Sequence, residues 1–212
     1  MIIDRLDEEF LLFSLRRNGR WVSRWSGSVA AGVAGAWVLE LLLEGRVKLK
    51  EGRLVPRGKS RLDDPVLDGV LDDMRSVSSP RSVGRWVARL SRRPVGRMVQ
   101  VMQRLQERGY VDHVVRPGLW GRIHRFPQHS AGGRSEMRRH LVEVVQGRKI
   151  PDEDTVALLG ILDAAGMARL VFGRNTGMAR RSIRRLVVQN PRIAEVAGAV
   201  RRRRLRRFLR FV

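Results

Sequence analysis

The 212-residue sequence has no cysteine, one tyrosine, four histidines and four lysines, and aromatic residues make up only 6% of it. The missing cysteine excludes disulfides, thiolate nucleophiles and cysteine-ligated zinc, and it suits a reducing compartment. His113, His124, His129 and His140 show no HExxH spacing and no neighbouring carboxylate cluster, so they read as surface or hairpin residues and no metal site is expected. GxSxG, P-loop and GxGxxG patterns are absent too, so neither catalytic residues nor a cofactor is expected and the chain reads as a non-enzyme. The most apolar stretch, VAAGVAGAWVLELLL from Val29 to Leu43, falls short of the roughly 20 residues a membrane span needs. The opening MIIDRLDEEF places acids where a signal peptide is basic and then apolar, so a cytoplasmic, at most peripherally membrane-bound protein is expected. Negative charge is scarce: 21 Asp and Glu stand against 43 Lys and Arg, a formal net charge of +22.

That surplus is almost all arginine. Guanidinium forks match phosphate, so nucleic acid and an anionic membrane surface are the two partner classes the composition favours. An arginine-rich genome also raises such a count, and the composition suggests a high-GC bacterial source. Hydrophobic residues at 43% with charged residues at 30% describe a folded chain, long enough for a substantial core.

The apolar stretch predicts a buried helix, with Gly32, Ala34, Gly35 and Ala36 making one side narrow enough for another helix to pack closely. It is closed by Glu44-Gly45-Arg46 and followed by a short hairpin, VKLKEGRLV. Before it, residues 4 to 17 predict an amphipathic helix: Asp4 as cap, Asp7, Glu8 and Glu9 at the positive end, and Leu6, Phe10 and Phe13 on one face. After it, Asp64-Pro65 starts a helix to Met74, and Ser82 opens a shorter one with Val83, Trp86, Val87 and Leu90 on one side. A long helix then runs to Arg108, capped by Gly109. Tyr110 to Phe126 reads as a second hairpin turning at Arg116-Pro117-Gly118. A helix from Ser135 to Gln146 follows, and Pro151 to Asp154 opens a second buried helix through Phe172. Residues 178 to 188 form a basic helix. Residues 190–212 form a last one, whose Leu205, Phe208 and Leu209 keep the spacing of a stripe packed on the body. The expectation is a mainly α, single helical domain spanning 1–212, with two short β-hairpins and no parallel α/β sheet.

Two binding readings follow from the residues. A basic helix, 95–108, leading into hairpin 110–126 is the local layout of winged-helix nucleic-acid readers, with Arg97, Arg104, Arg108, Arg116, Arg122 and Arg125 as contacts. Alternatively a basic face meets anionic lipid while exposed aromatics sink into the headgroup layer; Trp21 and Trp25, flanked by Arg, read either as lids on the core, the favoured reading, or as such anchors.

The order of segments adds a resemblance. DEEFLLFSL with NGR, the tryptophan of SRWS, GVAGAWVLELLLEGRVKL, DPVLDGVLDDM, RWVARLS, QRLQERGYV with its hairpin, TVALLGILDAAGM and RRSIRRL together resemble the Golgi phosphoprotein 3 family. These are lipid-binding proteins of eukaryotic Golgi membranes with actinobacterial relatives. The resemblance implies a single mainly helical domain with a protruding hairpin that serves self-association, here Val114, Arg116, Trp120 and Arg122. It also implies recognition of phosphatidylinositol 4-phosphate in a basic pocket beside a tryptophan, and binding of membrane-protein tails as an adaptor. By position the family tryptophan falls on Trp25. Its pocket arginines fall on Ala34, Val95 and Met98, with Arg93 and Arg97 close by in another register. The lipid-binding set expected here is therefore Trp25, Arg20, Arg24, Arg93 and Arg97.

Overall fold

The computed structural model describes residues 5–16, 18–21, 26–58, 60–118, 121–128 and 132–208. Helix α1 (Leu6–Phe13) is shorter than the predicted 4 to 17, and its cap position is Arg5, which makes no side-chain capping bond. Asp4 lies outside the described residues. The chain turns at Ser14, and a bridge between Leu15 and Trp21 takes over the backbone pairing. Helix α2 (Ser26–Leu43) is the expected buried helix. Its narrow side works as the small residues require. A side chain at Gly32 would overlap the Phe10 ring, and one at Gly35 would overlap Val200. Two helices therefore approach α2 closely: α1 on one flank and α10 (Pro191–Phe208) on the other.

Gly45, at φ +68°, ends α2 and feeds β1 (Val47–Lys50) and β2 (Arg53–Pro56), paired from Val47↔Pro56 to Lys50↔Arg53. A two-residue strand, β3 (Arg81–Ser82), adds a third antiparallel edge. Between them α3 (Pro65–Arg75) is capped by Asp64, whose side chain accepts the Leu67 amide at 2.8 Å. Ser82 caps α4 (Val83–Leu90), and α5 (Val95–Glu107) stops at Gly109, φ +74°. These boundaries agree with the sequence because each is set locally, by a capping oxygen or a glycine free to turn left-handed.

The second hairpin differs in its turn. β4 (Val114–Gly118) and β5 (Gly121–Arg125) pair through Pro117↔Arg122 to Gly118↔Gly121, so Arg116-Pro117-Gly118 is strand. Pro117 fits because both strands of a two-stranded sheet are edges, where a missing amide leaves no ladder partner bare. Helix α6 (Gly132–Val145) follows. The predicted single helix from Thr155 to Phe172 is in fact two, α7 (Glu153–Ala164) and α8 (Ala168–Phe172). Gly166, at φ +78°, lets the Met167 amide fold back onto the Leu162 carbonyl at 2.7 Å, a helix stop that uniform apolarity conceals. A 3₁₀ turn, Gly173–Asn175, leads to α9 (Thr176–Val188) and then α10. One hydrophobic core joins these elements, from Leu6 to Val200. Of the expected stripe at the end of α10, Leu205 is 49% exposed, and the Phe208 side chain and Leu209 lie outside the described residues. Among the described residues no single helix is long and apolar enough to cross a membrane.

Candidate anion-binding surface

Which arginines are available to an anionic partner depends on which are already held by acids. The acids of α1 are not on its surface. Asp7 and Glu8 are 0% and 1% exposed, and Glu40 of α2 and Asp64 before α3 are buried beside them. Arg104 of α5 reaches three of the four: Nε to Glu8 at 3.0 Å, and one terminal nitrogen each to Asp64 at 2.5 Å and Asp7 at 3.2 Å. Arg108 pairs Glu8 at 2.8 Å, and Arg5 spans Asp64, Asp7 and Glu40 at 3.2 to 3.6 Å. Trp37 donates its indole N–H to Asp7 at 3.1 Å, and the Leu6 amide donates to Glu40 at 3.1 Å.

Burial, and next the Asp7 charge, push the Glu40 carboxyl up to about 8, against the pull of Arg5. Burial likewise holds Glu8 above its ordinary value, with Arg104 opposing. This cluster fastens α1 to α2, α3 and α5. The expectation that Asp7, Glu8 and Glu9 merely face the helix dipole is corrected. They are interior groups, because arginines nearly 100 residues on cover Asp7 and Glu8.

Arg97 is engaged as well. One terminal nitrogen donates to Asp73 at 2.9 Å and to the Gly69 carbonyl at 3.1 Å, tying α5 to α3. So the three arginines that a helix-in-groove reader would present, Arg97, Arg104 and Arg108, all bond carboxylates of the same chain.

The other positions of the expected lipid set separate. Arg93 is exposed in the turn between α4 and α5, next to exposed Arg92. That turn reaches α10: Arg203 donates from Nε to the Ser91 hydroxyl at 2.9 Å. Because α10 runs antiparallel to α2, with Arg192 near the Leu42 carbonyl and Val200 over Gly35, the last turns of α10 lie toward the start of α2. Arg93, exposed Arg206 and the first turn of α2 thus share one end of the bundle. Arg20 is exposed but belongs elsewhere. Its carbonyl accepts from the Arg16 amide at 2.7 Å, and neighbouring Gly19 accepts from Phe126 at 3.1 Å, at the foot of the second hairpin. Trp25 and Arg24 lie outside the described residues. Of the positions matched to the family's pocket arginines, Ala34 is fully buried in α2, Met98 is buried, and Val95 is 68% exposed beside Arg93.

On the hairpin, Val114 is half-buried at the start of β4, and Arg116 pairs with Ile123 and Arg122 with Pro117 along the ladder. The side chains of Arg116 and Arg122, and the whole of Trp120, fall outside the described residues. The hairpin foot carries an unforeseen contact: His113 stacks between His124 and Phe126, its Nε2 2.8 Å from Nδ1 of His124. The sequence held no signal for that pair, because a turn at Arg116-Pro117-Gly118 would set position 113 opposite 121, whereas the ladder pairs His124 with Val115, two residues from His113. Nor did it hold one for the Arg203–Ser91 tie, which needs the fold. Among the described residues no group of three metal-ligating side chains occurs.

In comparison with known families, the sequence model of Golgi phosphoprotein 3 (GPP34) matches residues 6–205.

Proposed function

The chain belongs to the Golgi phosphoprotein 3 family, and from that premise we propose a non-enzymatic peripheral membrane protein that binds phosphatidylinositol 4-phosphate or other anionic phospholipid. Contact is made at the end of the bundle where α2 begins, through Trp25, Arg24 and Arg93, while Arg20 offers a further cation at the foot of the second hairpin. It works on the cytoplasmic side of a membrane, holding membrane-protein cargo as an adaptor.

The observation that supports this reading is the sorting of the arginines. Those of α5 are spent on Asp73 and on the buried acids. Arg92, Arg93 and Arg206 make no ion pair among the described residues and sit at one end, beside exposed Val95. A cation near an anionic bilayer contributes on the order of 1 kcal/mol, and an apolar side chain between such cations can enter the headgroup layer. Arg97 acts in this account as a support, holding the first turn of α5 against α3, and is not a ligand.

The test is vesicle flotation at physiological salt. Replacing Arg92 and Arg93 together by Gln is expected to weaken binding roughly thirtyfold, from about 2 kcal/mol lost. Trp25→Ala is expected to weaken it further. Unchanged binding by both variants, with undiminished binding to DNA, would favour the nucleic-acid reading instead. Self-association is assigned to the second hairpin, with Val114, Arg116, Trp120 and Arg122. Its check is sedimentation of Trp120→Ala, which should shift any oligomer to monomer without changing vesicle affinity per chain.

A further inference from the structure

Asp163, on the last turn of α7, is buried, and both of its carboxylate oxygens are taken. Arg180 of α9 donates from Nε to Oδ1 at 2.9 Å, and Arg201 of α10 donates to Oδ2 at 2.9 Å. These two bonds clamp α9 and α10 to α7. A third guanidinium, Arg204, lies one turn further along α10, pressed onto the backbone of Gly166, in the place a side chain there would occupy. It is half-buried and has no ion pair of its own among the described residues. Burial, the charge of Arg180 and then that of Arg201 act against the charged form of Arg204, and only Asp163 favours it.

Three cations therefore surround one carboxylate whose oxygens are already used. Arg180 and Arg201 are each more than two-fifths exposed, so they keep donors that face solvent. Such a half-desolvated surplus of positive charge is relieved by a bound dianion, and planar guanidinium forks fit the oxygens of a phosphate in bidentate fashion.

We propose that Arg180, Arg201 and Arg204, positioned by Asp163 and the glycine turn at Gly166, form a second anion site that takes a phosphomonoester group. It lies on the flank of α10 facing α7 and α9, whereas Arg203 faces Ser91 on the α4 side, so the site is separate from the surface around Arg93. It needs no part of the Trp25 reading. The same phosphomonoester chemistry is offered by a lipid headgroup and by a soluble phosphate ester.

The experiment uses the full chain and inorganic phosphate at low millimolar concentration against chloride of equal ionic strength. Wild type and Arg93→Gln should show a saturable rise in Tm with phosphate. Arg204→Gln should lose it, with an affinity lower on the order of tenfold, as expected for one charge-assisted contact. The Asp163 pairs survive in Arg204→Gln, so it should fold; Arg180→Gln is a second variant expected to weaken the same response. A rise retained in full by both variants would be the general stabilisation that phosphate gives any protein, and would overturn the proposal. So would no rise in wild type. Vesicles containing phosphatidic acid or phosphatidylglycerol at matched charge separate the sources. Loss of a phosphatidic acid preference in Arg204→Gln identifies a lipid headgroup, and unchanged flotation of a variant that has lost the phosphate response identifies a soluble ester. If Arg92→Gln/Arg93→Gln floats like wild type while the Arg204-dependent phosphate response persists, the membrane surface fails and the second site stands.

Discussion

Replacing Arg104 by Met removes the cation that Asp7, Glu8 and Asp64 share while leaving most of the side-chain volume in place. Breaking a buried pair by deleting one partner usually costs about 3–5 kcal/mol, because a desolvated charge is left behind. The lower end applies here. Asp7 keeps the Trp37 indole, Glu8 keeps Arg108 and Asp64 keeps Arg5. A loss of about 3 kcal/mol in a chain of this length lowers Tm by roughly 6–12 °C. Scanning calorimetry at pH 8 measures it. Arg61, 75% exposed and 3.9 Å from Asp72, is the control: Arg61→Met should change stability by less than about 1 kcal/mol. The loss in Arg104→Met should also shrink toward pH 5, where Glu8, already held above its ordinary value by burial, can take up a proton. A fall in Tm under about 2 °C, or one equal to that of Arg61→Met, would refute the reasoning that this cluster fastens α1.

Glu40 makes a pH prediction. A carboxyl raised on folding from its ordinary 4.5 to about 8 binds a proton in the folded chain that the unfolded chain releases, so stability falls as pH rises through that window. In Glu40→Gln, whose amide oxygen can still accept from the Leu6 amide, that slope should flatten, and the variant should gain on wild type from pH 5 to pH 9 in urea titrations. An unchanged slope would exclude Glu40 as its source. Gly32→Ala should cost about 1–3 kcal/mol or more by forcing the Phe10 ring away, whereas Gly84→Ala, in the first turn of α4 with open space around it, should gain about 0.4–1 kcal/mol. Asp152→Ala should cost about 1 kcal/mol by baring the Thr155 amide that its side chain caps at 2.7 Å, read as a lowered urea midpoint.

What the sequence disclosed was whatever depends on near neighbours. Asp64-Pro65, Asp152 and Gly109 mark helix ends by chemistry acting within a few residues, and α2 was plain because an almost uncharged run can only be interior. Residues whose role depends on distant partners were not legible. Asp7 and Glu8 look like solvated acids at a helix start until Arg104 and Arg108 are brought over them, and no local spacing records that. That Arg97 is paired within the chain was hidden for the same reason, its partner Asp73 being 24 residues away. The break at Gly166 was hidden because both pieces it separates are apolar, and Arg-Pro-Gly has the composition of a turn although the ladder runs on to Gly118 and Gly121. At the end of α10, helical spacing predicts a shared face but not how fully it is covered, and Leu205 stays half exposed.

The most direct measurement is flotation of the full chain with two vesicle sets of equal negative charge, one carrying phosphatidylinositol 4-phosphate and one only phosphatidylglycerol, at physiological salt. Binding to the phosphoinositide set, lost in the Arg92→Gln/Arg93→Gln and Trp25→Ala variants, is the predicted result. Absence of binding to either set would contradict the membrane account.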